Sequence, residues 1–269
     1  MLKQRIITAI ILIPIILVAV IYLSPLAFCV FTALIALGGA WEWTNLMQIS
    51  KPSRRWLYLI LVVLVFIYSL FIPVRYIFIG ALIWWVYAAI LVIYYPRGNW
   101  LWNKSVFLQS VMGLFVLVPC WASINYIRNQ DNGLLGLLFL FVLIWSADST
   151  AYFVGKKWGT KRLAPLVSPG KSWQGLMGAL LIATLIALIT LWLCKIPFPI
   201  WPWAVLLSLV TVLFSVVGDL FESMMKREAG LKDSGKLLPG HGGLLDRIDS
   251  LTAGVPIFVL GALLLGAYL

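Results

Sequence analysis

The feature that most constrains this chain is a succession of long apolar runs. Nine can be traced, over residues 6–23, 26–46, 56–72, 76–95, 105–126, 133–154, 176–194, 199–225 and 251–269. Uninterrupted apolar runs of this length span a bilayer as helices. In hydrocarbon, backbone N–H and C=O groups must bond within the structure. A closed β-barrel would do that too, but it needs alternating rather than continuous apolar residues. The expected fold is therefore all-α: a polytopic integral membrane protein of about nine transmembrane helices, forming a single membrane domain over residues 1–269. Composition agrees, because 63% of residues are apolar and only 11% charged, against about 25% charged in soluble domains. An ordinary soluble enzyme and a disordered chain are both excluded. There is no internal repeat and no low-complexity linker. The first run follows Lys3 and Arg5, exceeds a signal-peptide core and lacks a convincing small-residue cleavage site, so it is expected to stay as the first helix. Ser24 and Pro25 leave room only for a tight hairpin to the second.

The chain carries 20 Lys and Arg against 9 Asp and Glu, a net charge of +11. In a soluble protein that would suggest nucleic acid; in a membrane chain it marks cytoplasmic loops first, so no nucleic-acid partner is expected. With the N-terminus cytoplasmic, all the basic residues but Arg75, Arg128 and Lys195 fall on the cytoplasmic side, a division of 17 to 3. That asymmetry supports nine spans and places the C-terminus outside the cytoplasm. Cys29, Cys120 and Cys194 lie in apolar stretches without paired spacing and His241 is the only histidine, which argues against a zinc site or a disulfide framework. Trp41, Trp43, Trp56, Trp100, Trp102, Trp158 and Trp173, near the basic side, suit an interfacial belt. Glu42 carries no functional expectation.

Only two connections, residues 155–175 and 226–250, are both long and polar, and both fall on the cytoplasmic side. The second holds Asp233, Asp246 and Asp249 among Lys226, Arg227, Lys232, Lys236, Arg247 and five glycines; Asp219 and Glu222 precede it one helical turn apart. Carboxylates at i and i+3 share a helix face, and Asp246 and Asp249 repeat the spacing, so two helix ends can aim acids at one pocket. Acids bind a hard divalent ion, Lys and Arg bind phosphate oxygens, and glycines let backbone amides approach. Phosphoryl or nucleotidyl transfer is the chemistry these residues suit. Asp148 and Asp219 stand inside apolar runs, where an acid costs roughly 2.5 to 3.5 kcal/mol near mid-membrane and less at the edge, and function is the better reason to keep them. The GKS of the first loop is not a P-loop: Pro165 stands where the first glycine is required, and a membrane helix lies upstream. Lys171 remains a candidate phosphate ligand in another backbone frame.

From Ser223 to Asp249 the sequence resembles the signature of the phosphatidate cytidylyltransferase (CDP-diacylglycerol synthase) family. The elements are Ser223, Lys226-Arg227, Lys232-Asp233, the turn at Pro239, His241-Gly242-Gly243, Asp246-Arg247 and Asp249. A second block resembling the family runs over residues 147–175, with Thr150 where glycine is expected, a departure that bears on helix packing more than on chemistry. The resemblance implies a Mg²⁺-dependent enzyme, with K⁺ as a candidate second ion. It would join CTP to phosphatidic acid, releasing pyrophosphate, at the cytoplasmic face of a bacterial inner membrane, and it leaves room for a homodimer. By motif position Asp219 and Asp246 are the expected metal ligands, and Asp148 a further carboxylate or the orienter of a basic residue. Lys171, Lys226, Arg227, Lys232 and Arg247 are expected to neutralise phosphates, and Gly242 and Gly243 to support the triphosphate. Asp233, His241 and Asp249 join the expected catalytic set, with Ser168 and Ser223 on the substrate side. The competing readings are a lipid transporter or flippase, which would place ionisable groups nearer the midplane, and a different membrane nucleotidyltransferase.

Overall fold

A computed structural model describes residues 12, 14–238, 240 and 242–266. Of the first expected span, residues 12 and 14–22 are helical (α1); residues 6–11 and 13 lie outside those described. The remaining helices are α2 (Pro25–Leu46), α3 (Pro52–Ser69), α4 (Val74–Tyr94), α5 (Val106–Arg128), α6 (Gly133–Trp158), α7 (Trp173–Leu193), α8 (Trp201–Glu228) and α9 (Leu245–Leu264). These eight, α8 with a short turn before it, are long and apolar enough to cross a membrane. Their starts follow local chemistry. Ser24, Ser105 and Ser172 cap α2, α5 and α7 by accepting a backbone N–H three residues on, and proline occupies the first turn of α2, α3 and α8, where a missing N–H costs nothing.

Two departures from the expected all-α layout matter. The connection between α6 and α7 contains an antiparallel hairpin, β1 (Arg162–Ala164) and β2 (Ser168–Ser172), with Arg162 opposite Ser172. In addition, α6 runs a full turn beyond its apolar core and α9 begins six residues ahead of its own. Most of the first expected polar loop is thus helix end or strand, whereas the second keeps an irregular middle between the end of α8 and the start of α9.

The helix ends hold together in two layers. At the basic end, Phe221 of α8 sits among Trp43, Trp84 and Trp85, with ring centroids 6.3, 5.4 and 5.9 Å away. Trp43 is fully buried and donates its indole N–H to the Gln109 carbonyl at 2.8 Å, and Trp102 is buried as well. These two are core residues, so the expected aromatic belt is confined to exposed rings such as Trp56, Trp100, Trp158 and Trp173. At the other end Arg128 of α5 donates to the carbonyls of Val20 and Leu23 at 2.8 and 3.4 Å, clamping α1 to the start of α2. The most deeply buried span is α9, which packs chiefly on α8 and also on α5 and α4.

Candidate active site

Four structural pieces meet at the basic end: the last three turns of α8, the connector of residues 229–244, the first turns of α9, and the hairpin. Asp246 and Asp249 belong to α9, where carboxylates near a helix N-terminus are favoured by its dipole. Asp246 is held at both oxygens. Its Oδ1 pairs with Lys226 Nζ at 2.6 Å, while Oδ2 accepts from Ser234 N at 3.0 Å and from Gly243 N at 2.8 Å and lies 3.0 Å from the Ser234 hydroxyl oxygen. Lys226 also reaches Glu222, one turn back on α8, at 3.2 Å. Glu222 is almost wholly buried, and beyond that ion pair neither of its oxygens has a hydrogen-bond partner among the described residues.

A second lysine organises the neighbouring acids. Lys171, on β2, pairs with Asp219 Oδ2 at 2.5 Å, both side chains about a quarter exposed; Asp219 Oδ1 accepts from Ser223 Oγ at 3.3 Å. Asp148 of α6 lies within electrostatic range of Lys171 and Asp219, with the Ser250 hydroxyl beside it. Asp249 feels Asp219, Asp148, Lys171 and Lys226, so it stands between the two lysine-centred groups.

The glycines expected to support phosphate shape the connector. Gly242 has φ +83°, a region that favours glycine, and accepts from Leu238 N at 3.1 Å. A Cβ on Gly243 would collide with Ser234 and Glu42. Asp233 packs against Gly242, and Asp233 and Lys232 are exposed. Arg227 is exposed and donates from Nε to the Val167 carbonyl at 3.2 Å, tying the hairpin to α8. His241 and Pro239 lie outside the described residues.

A cavity of about 1240 Å³ opens from this cluster. Asp148, Ser168, Lys171, Asp219, Asp246, Arg247 and Asp249 line its polar part, joined by Lys156 and Arg162; Ile16 and Val20 of α1, Phe28 and Ile35 of α2, Trp121 of α5 and Phe141 of α6 line its apolar part. One continuous space therefore joins an ionic mouth to a hydrocarbon-like interior.

Three groups of site residues escape a reading of the sequence. Glu42, buried in α2, accepts at Oε2 from Ser234 Oγ (3.1 Å) and Leu245 N (2.8 Å). Asn45 and Gln48, three and six residues on, donate to the Ser234 and Ala229 carbonyls at 2.9 and 3.2 Å. The segment between α4 and α5, which the sequence presents as too short to matter, supplies Asn99 and Asn103 to the Glu228 carboxylate at 2.9 and 3.2 Å. Burial, reinforced by Glu228, pushes the Tyr95 hydroxyl up to about 12, so it remains a neutral donor toward that carboxylate. Only the three-residue spacing of Glu42, Asn45 and Gln48 at the end of a mostly apolar run marks the first two groups in the sequence, and that spacing alone names no partner.

The fold and site define a polytopic membrane protein with a charged, polyanion-suited pocket open to an apolar cavity. The chain belongs to the cytidylyltransferase family, whose model matches residues 3–264. It is similar to the phosphatidate cytidylyltransferase of Haemophilus influenzae, at 40% identity over 96% of this chain and 97% of that protein. Proteins of the same name from Pseudomonas aeruginosa (41%, covering 96% of each chain) and Brucella abortus (34%, covering 96% of this chain and 92% of the relative) are also similar.

Proposed function

We propose that this chain transfers the cytidylyl group of CTP to phosphatidic acid, yielding CDP-diacylglycerol and pyrophosphate. The observation that carries the reading is the single cavity with an ionic mouth and an apolar interior. A nucleotide from water and a lipid with buried acyl chains must bring their phosphates together at such a boundary. A transporter accounts for it less well, because the acidic groups gather at one end of the helices. The lipid's terminal phosphate oxygen attacks the α-phosphorus of CTP, a new P–O–P linkage forms, and the bond to the β-phosphate breaks as pyrophosphate departs. A phosphate monoester has a second pKa of about 6, so the nucleophile is largely dianionic at neutral pH and needs no strong general base.

The obstacle is charge: two polyanions must approach, and the leaving group gains more. Lys171, Arg247, Lys156 and Arg162 line the cavity and can neutralise phosphate oxygens. Lys171 can exchange its bond to Asp219 for one to substrate, with Asp148 and Asp249 keeping it in place. Lys226 and Arg227 act at one remove, by holding Asp246 and the hairpin.

The donor set fits Mg²⁺, although among the described residues no three ligating side chains close on one ion. Mg²⁺ typically takes one or two carboxylates and completes its shell with water and substrate phosphates. Asp219 and Asp246 line one cavity, with Asp249 beside them and Glu222 left short of partners. Asp219 and Asp246 would hold the ion, K⁺ being the candidate for a second. When bound, the ion supplies positive charge to the triphosphate. We place the site on the cytoplasmic face of a bacterial inner membrane. The test is to supply purified protein with Mg²⁺, phosphatidic acid and each nucleoside triphosphate in turn. Pyrophosphate is expected with CTP; none from folded protein would refute the reading.

A further inference from the structure

Glu42 lies outside the cavity lining, yet it is 1% exposed and engages two separate parts of the site. Its Oε2 accepts from Ser234 Oγ in the connector and from Leu245 N at the start of α9. Ser234 in turn donates its backbone N–H to Asp246 Oδ2, with its hydroxyl 3.0 Å from the same oxygen. Glu42 Oε1 has no hydrogen-bond partner among the described residues. A buried acid carries a desolvation cost that packing alone does not offset, so its retention in an apolar helix calls for a role. The fit is built, because a Cβ on Gly235 or Gly243 would run into the Glu42 carboxylate. Asn45 of the same helix holds the Ser234 carbonyl, and Gln48, just past the helix end, holds the Ala229 carbonyl. The end of α2 thus grips the connector at three levels, and only the Glu42 level leads directly to Asp246.

We propose that Glu42 is a positioning residue: through Ser234 and the N-terminus of α9 it fixes where Asp246 and the Gly242–Gly243 turn face the cavity. This rests on assigning Asp246 to the active site. The role needs an acceptor oxygen at the Oε2 position, not a negative charge.

The chemistry of Glu42 variants separates positioning from bulk. Glu42→Gln retains an acceptor in place and is expected to keep turnover within about threefold, whereas Glu42→Leu fills similar space without an acceptor and is expected to lose at least about tenfold, the scale of one missing buried hydrogen bond. Ser234→Ala, which removes one hydroxyl, should lose a similar factor. The double variant Glu42→Leu/Ser234→Ala should fall well short of the product of the two losses, because both act along one path. Should Glu42→Leu fail to fold, Ser234→Ala decides alone: turnover within about twofold of the parent overturns the proposal. So do fully multiplicative losses, or a Glu42→Gln variant as impaired as Glu42→Leu. Asp246→Asn is measured alongside. If it retains normal turnover, the assignment of Asp246 fails; if it is inactive while the Glu42 and Ser234 variants are normal, only the positioning role fails.

Discussion

Lys171 and Lys226 are both paired with acids, but in environments that give the pairs different work. The Lys171–Asp219 pair is about a quarter exposed, where an ion pair is worth roughly 0 to 1 kcal/mol. Its loss should hardly touch stability, and it is free to exchange for phosphate. Asp219→Asn is accordingly expected to lower CTP-dependent turnover by about a hundredfold or more while leaving the unfolding midpoint in detergent nearly unchanged. Lys226 is buried with Glu222 and Asp246, and removing it strands two acids in the interior. Lys226→Met should cost about 3 to 5 kcal/mol, visible as a drop in Tm of more than about 5 °C. Asp148, Asp219, Asp246 and Asp249 were legible in the sequence because charge is so scarce elsewhere. Glu42 was not, because its partner Ser234 is 192 residues away and a lone acid near a helix end has cheaper explanations.

At the scale of elements, the apolar runs located the described spans to within a few residues, since bilayer thickness sets helix length. They did not locate the working ends. The helix α9 starts early because its first turns are two-sided: Leu245 is buried in the core, while Asp246, Arg247 and Asp249 line the cavity together with Ile248. The hairpin left no periodic signal because its strands have three and five residues, too few for alternation to register. It depends instead on outside contacts, of which Arg227 to Val167 is one. Arg227→Ala should therefore raise amide hydrogen exchange across residues 162–172 in protein without substrate. If Arg227 served only to bind phosphate, substrate-free exchange would not change.

For the whole molecule, the 17 to 3 division of basic residues predicted that the polar connections share one end. The contacts agree: α2 reaches the connector through Asn45 and Gln48, the α4–α5 segment reaches Glu228, and Arg227 reaches the hairpin. Arg128 binds the α1–α2 turn at the opposite end. Which end faces the cytoplasm follows from charge bias alone, and a resident thiol can test it. Cys194 caps α7 beside Lys195 and is exposed, whereas Cys120 is buried and Cys29 half-buried within their spans. If the site end is cytoplasmic, a membrane-impermeant maleimide added to intact spheroplasts should label the protein at Cys194. Sealed inverted vesicles should label only after permeabilisation, and Cys194→Ser should abolish the signal in both. Labelling confined to inverted vesicles would reverse the orientation and put the charged mouth on the side without CTP.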